Sequence, residues 1–177
     1  MAILQNNFRS SGKPYIDNDG AVSVTGNSKI ALKVKQTTIP IKFGSVSAFY
    51  CTSMGLTSLI NSPDTCRSFH CNNNLLTSLE FCPKTVTGEF NCRNNPITTL
   101  QFLPNFADYF VISWNENLPL LKLLHANMNS FRVYDGSETH PITKILREYQ
   151  GKTPMRPTII QCQKALIDAG YAGNATL

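Results

Sequence analysis

His70 and Glu89 are the two side chains with the most evident chemical potential, since an imidazole beside a carboxylate can act as a general base with its orienting partner. No glycine-rich phosphate loop, strained nucleophile turn or HExxH pattern accompanies them. The sequence therefore reads as non-enzymatic, with no catalytic residue assigned. Six cysteines are the next candidates. Cys51, Cys71 and Cys92 recur at one position of a repeating pattern. Cys66 opens a repeat, Cys82 precedes a repeat proline, and Cys162 falls in a helical stretch. With no CxxC pair they read as reduced core thiols rather than as zinc ligands or a disulfide framework. Asp17-Asn18-Asp19-Gly20 opens like a calcium loop but lacks the later glutamate, so it reads as a turn. His125 and His140 sit in connecting segments without a partner at metal spacing and are expected to be solvated. No metal and no cofactor is expected.

The elements that must position these residues follow from one pattern written several times. Ser68-Phe69-His70-Cys71-Asn72-Asn73-Asn74-Leu75-Leu76-Thr77-Ser78-Leu79 aligns with Glu89-Phe90-Asn91-Cys92-Arg93-Asn94-Asn95-Pro96-Ile97-Thr98-Thr99-Leu100. Pro83 and Pro104 follow at the same offset. The template also fits Phe49, Cys51, Met54, Leu56, Leu59 and Pro63 upstream, and more loosely Phe110, Ile112, Asn115, Leu118 and Leu120 downstream. The phenylalanines recur at about 20 or 21 residues, a solenoid period. Each repeat is expected to supply one short strand of a parallel sheet, with the Phe and Cys positions inward. Asn74, Asn95 and Asn115 are expected to form a ladder of amides where the chain leaves the strand, broken at its first rung by Met54.

The pattern resembles the leucine-rich repeat, with Phe and Cys at the strand leucine positions and asparagine at the asparagine position. Within that class it resembles short bacterial and bacteriophage proteins with F-x-C-x-x-N-x-L-T-S-L repeats. The likeness extends through Tyr15 to Gly20, Ile39 to Gly44 and the terminal segment Cys162 to Ala175. It implies a solenoid fold, a viral origin and a binding role through the strand face, but no activity. Bacterial effectors that join such repeats to a ubiquitin-ligase domain need a longer tail than the one after Ala126, which leaves Cys162 as a helix-core thiol.

At 177 residues the chain is long enough for one core, and a single α+β domain is expected over residues 1–177. Residues 14–44 read as an N-terminal β-hairpin cap, in which Ile30, Leu32 and Val34 alternate after a second turn at Gly26-Asn27. Residues 45–126 carry about four repeats, and residues 127–177 a strand and a two-helix cap. The strand is Phe131 to Tyr134, closed by Asp135-Gly136. The helices start at Pro141 and Pro157 and end near Gly151 and Gly170. Residues 1–13 are expected to be a loose arm or an edge strand. Caps are needed because a solenoid's open ends expose strand edges and core.

The outward strand positions in this register are Ala48, Tyr50 and Thr52, then Ser68, His70 and Asn72, then Glu89, Asn91 and Arg93, then Tyr109, Val111 and Ser113. Tyr50, His70, Asn72, Asn91, Arg93, Tyr109 and Trp114 are the expected partner-binding residues, because aromatics and arginine most often anchor interfaces. The net charge of +5 is modest and scattered. Nucleic acid, with Tyr50, Tyr109 and Trp114 stacking on bases and Lys33, Lys35 and Lys42 extending the track, is the less favoured partner. A structural role in an assembly is a third reading. The expected partner is a host protein, such as an antiviral-defence component, blocked by steric occlusion. No membrane span and no secretory signal is seen, so a cytoplasmic location, that of the host cell if the protein is viral, is expected.

Overall fold

Aromatic residues at the solenoid period place one phenylalanine on each coil, and the coils stack so that these rings form one column. The computed structural model describes residues 8–24, 28–135, 140–150, 152 and 156–176. Its strands are β1 (Phe8–Ser10), β2 (Pro14–Ile16), β3 (Val22–Val24), β4 (Lys29–Leu32), β5 (Ala48–Tyr50), β6 (Thr65–Cys66), β7 (Ser68–His70), β8 (Thr85–Asn91), β9 (Phe106–Ser113) and β10 (Met128–Tyr134). The main sheet runs β1-β4-β5-β7-β8-β9-β10, with β6 also pairing with β8. From β4 onward every pairing in it is parallel, which makes a β-solenoid. Ile30, Phe49, Phe69, Phe90, Phe110 and Phe131 lie in one register and are all fully buried. Each phenylalanine in such a column contributes about 1.5–3 kcal/mol through the area it removes from water.

The parallel ladder extends one strand beyond the expected repeats at each end. Lys29, Ile30 and Ala31 pair β4 with β5 instead of forming a hairpin with β3, Leu32 pairs with Phe8 of β1, and β10 continues the coil after β9. Alternating apolar residues fit a hairpin or a coil equally well; the outcome is set by Ile30 and Phe131, which fall on the aromatic column. The N-terminal hairpin is β2 with β3, turned by Asp17-Asn18-Asp19-Gly20. Asp17 Oδ1 accepts from the N–H groups of Asp19 and Ala21 at 3.1 and 2.9 Å, so the carboxylate holds the turn itself. β1 is an edge strand antiparallel to β4. Residues 1–7, the Gly26-Asn27 turn, Gly136 and Gly151 lie outside the described residues.

The amide ladder is present and uneven. Asn74 Oδ1 accepts from the N–H groups of Met54, Gly55 and Leu56 at 2.9, 2.9 and 3.1 Å, while its Nδ2 donates to the carbonyls of Cys51 and Cys71 at 2.8 Å. Asn95 bonds Leu76, Cys71 and Cys92 in the same way. Asn115 keeps only a 3.3 Å donation to Ile97 along this ladder and turns its oxygen to Asn117. The residue before each of the first three ladder positions, Ser53, Asn73 or Asn94, has φ near +55 to +60° (59, 58 and 54°), the left-handed turn that lifts the chain out of the strand.

One strand carries an extra residue within it, so that its register with its neighbours changes along its length. Cys66 pairs with Val86, but Phe69 pairs with Phe90, and a bulge lies between Val86 and Glu89. Gly88 sits in that bulge, where a Cβ would lie 2.8 Å from the Arg67 carbonyl oxygen. Any larger residue would push the bulge off β7.

The far end is closed by two helices, α1 (Pro141–Tyr149) and α2 (Arg156–Asp168). One stripe of α1 and its C-cap is aimed at the otherwise open edge of β10. Thr143 Oγ1 accepts from Val133 N at 2.9 Å and donates to Val133 O. Arg147 donates twice to Phe131 O, and Gln150 Nε2 donates to Met128 O at 3.0 Å. Side chains thus replace the next strand and remove the template for edge pairing. Asn174, in the 3-10 turn after α2, adds a rung by donating to the carbonyls of Asn115 and Leu118 at 2.9 and 2.8 Å.

All six cysteines are free thiols. Burial pushes the thiols of Cys51, Cys71 and Cys92 well above their ordinary range, and those of Cys66 and Cys82 up to about 12. A thiol that does not ionise is a poor nucleophile. Among the described residues no helix is long and apolar enough to cross a membrane.

Candidate functional site

The sheet face turned away from the aromatic column carries a continuous cross-strand row, Arg9, Ala31, Tyr50, His70, Asn91, Val111 and Arg132, one residue from each strand of the path β1-β4-β5-β7-β8-β9-β10. Parallel pairing repeats the spacing from strand to strand, so rings in this row stack face to face. Tyr50 and His70 do so at 4.8 Å between centroids with planes 12° apart. Both are half-buried. Burial lowers the His70 pKa, and the charge of Glu89 partly opposes this.

A second row lies two residues further along the strands. Thr52 Oγ1 donates to Asn72 Oδ1 at 2.9 Å, and the Arg93 guanidinium lies 5.0 Å over the Tyr134 ring, reaching past Ser113. Arg93 Nε is buried without a hydrogen-bond partner among the described residues. The third row places Glu89 opposite Tyr109 and Tyr109 opposite Ser130.

Of the residues expected from the sequence, Tyr50, His70, Arg93 and Tyr109 share this face. Asn72 and Asn91 also lie on it, but both are buried and internally engaged. Asn91 Nδ2 donates to Glu89 Oε1 at 2.9 Å, and its Oδ1 accepts from Arg93 N. They hold the platform and offer little to a partner. Glu89 is thereby tied to Asn91, and among the described residues no hydrogen bond joins it to His70. Val111, at an outward position, is likewise buried. Arg132 and Tyr134 join the face through the pairing of β10 with β9, beyond the residues the sequence places there. The alternation Phe131, Arg132, Val133, Tyr134 carries the signal, but its place after the last recognisable repeat assigns the strand to the cap.

Trp114 lies apart from these rows. It stacks on His140 at 4.9 Å with planes 8° apart, and His140 meets the Tyr171 edge at 5.1 Å. His140, expected to be solvated, is buried, and its Nδ1 accepts from Ile142 N at 3.3 Å as the N-cap of α1. His125 is exposed, as expected. Burial lowers the His140 pKa, against a smaller upward pull from Asp135. Protonation would remove the capping lone pair and leave a cation between two rings. The folded value lies below the ordinary one, so this contribution is complete above about pH 6.5 and is lost as pH falls through the folded value. The melting temperature of wild type is therefore expected to drop more between about pH 7 and about pH 5 than that of His140→Asn, which keeps a capping acceptor without the titration. Equal slopes would show that this imidazole does not couple the cap to pH.

Among the described residues no group of three or more His, Cys, Asp or Glu is placed to hold a metal ion. No family model matches the chain, and no significant match is found among curated proteins or solved structures.

Proposed function

We propose that this is a non-enzymatic binding protein whose sheet face engages one macromolecular partner, a host protein if the chain is phage-encoded as its likeness to short phage-type leucine-rich repeats suggests. The observation that carries this reading is the grouping of the Tyr50–His70 stack, the Arg93–Tyr134 pair, Tyr109 and Arg132 on one rigid face. Stacked and paired rings lose little side-chain freedom on binding, which favours them as anchors. The action is steric: a partner surface held against six registered strands is covered, as an antiviral-defence component would be if its active surface were the one bound. A cytoplasmic site of action belongs to the same reading.

The test is capture of tagged protein from host lysate, treated with nuclease, using wild type and Tyr50→Ala/Arg93→Ala. Loss of an anchor costs about 2 kcal/mol, near thirtyfold in Kd, so the double variant should lose the partner. A partner recovered equally by both proteins would move binding off this face. Partners that vanish with nuclease would favour nucleic acid, whose affinity falls steeply with salt.

A further inference from the structure

The end of the molecule opposite α1 and α2 holds a cleft of about 710 Å³ between edge strand β1 and hairpin strand β2, a size that suits a small organic molecule. Phe8 and Val22, both buried, belong to its lining and to the core, while Tyr15 and Ile16 remain 45% and 55% exposed. Large apolar side chains left in water at the mouth of a cleft gain most when a ligand covers them.

The charges around this apolar lining are of one sign. Arg9, Lys13 and Lys33 lie on it, and no carboxylate does among the described lining residues. Asp17, the nearest acid in sequence, has Oδ1 in the β2–β3 turn and Oδ2 accepting from Ser23 Oγ at 2.8 Å. We infer that the cleft binds an amphipathic organic anion, an aliphatic or aromatic body ending in a carboxylate or sulfonate. The body covers Phe8, Tyr15, Ile16 and Val22, and the anionic end is held at the cationic rim by charge-assisted hydrogen bonds. Of the strand-face row only Arg9 reaches this cleft, and the assignment stands without the strand-face partner.

The test titrates the full chain by calorimetry with dodecanoate, and with dodecyl alcohol as the uncharged counterpart of equal length. Saturable one-to-one binding of dodecanoate is expected, about tenfold tighter than the alcohol and weakened by added salt. Lys13→Glu and Ile16→Asp change exposed side chains, so both should keep the wild-type circular dichroism and melting temperature, and each should weaken dodecanoate binding about tenfold. No saturable binding, equal affinity for the alcohol, or unchanged affinity in both variants would overturn the assignment.

Discussion

Asn74→Ala is expected to lower the stability of the fold by about 3–5 kcal/mol, a fall in melting temperature on the order of 10 °C. The side chain is buried and serves three backbone N–H groups of the coil before it and two carbonyls, one from each coil. Alanine leaves those groups without partners in a place water does not reach. Each buried orphan costs about 1–3 kcal/mol, partly relieved by local movement. Asn115→Ala provides the internal comparison, because its 3.3 Å bond to Ile97 and its exposed bond to Asn117 predict a loss of only about 1 kcal/mol. Thermal unfolding of the two variants side by side reads the difference directly. Equal losses would mean that the ladder acts through chain propensity and not through its hydrogen bonds.

Phe90→Ala is expected to cost a similar amount, about 3–5 kcal/mol, for a different reason. Its ring lies edge-on to Phe69 at 5.3 Å and to Phe110 at 5.4 Å, at the middle of the column. Truncation opens a cavity that two neighbouring coils share, and each coil touches only its neighbours. Native-state hydrogen exchange should therefore show the greatest loss of protection in β7, β8 and β9, with β4 and the α1 contact to β10 affected least. Phe102→Ala, at a 37% exposed ring on the outer turn, should stay within about 0.5 kcal/mol of wild type. Uniform loss of protection along the chain would show a single cooperative unit in place of coupled coils.

The coils were legible because their geometry dictates residue type at fixed offsets. A ring must fill the column, a small apolar thiol fits beneath the next strand, and an amide must satisfy the turn, so Phe69, Cys71 and Asn74 announce their positions. Ile30 and Phe131 occupy the same column without the rest of the template, and only the pairing of β4 and β10 reveals it. Asn72 and Asn91 illustrate a second limit. Alternation places them on the outer face correctly, yet burial there depends on Thr52, Glu89 and Arg93, whose conformations alternation does not set. His140 is a third case. A lone histidine in a loop carries no sign that Trp114 and Tyr171, distant in sequence, will close over it.

The constant register of the column also makes the molecule extensible in discrete steps. Both ends are finished by pieces that do not repeat, and the α1 stripe with its C-cap recognises backbone N–H and carbonyl groups of the last strand, which every coil presents alike. Duplication of one coil would lengthen the sheet by about 4.8 Å without asking anything new of either terminus. The reach of the recognition surface is thus a quantity that gene duplication can count out, coil by coil.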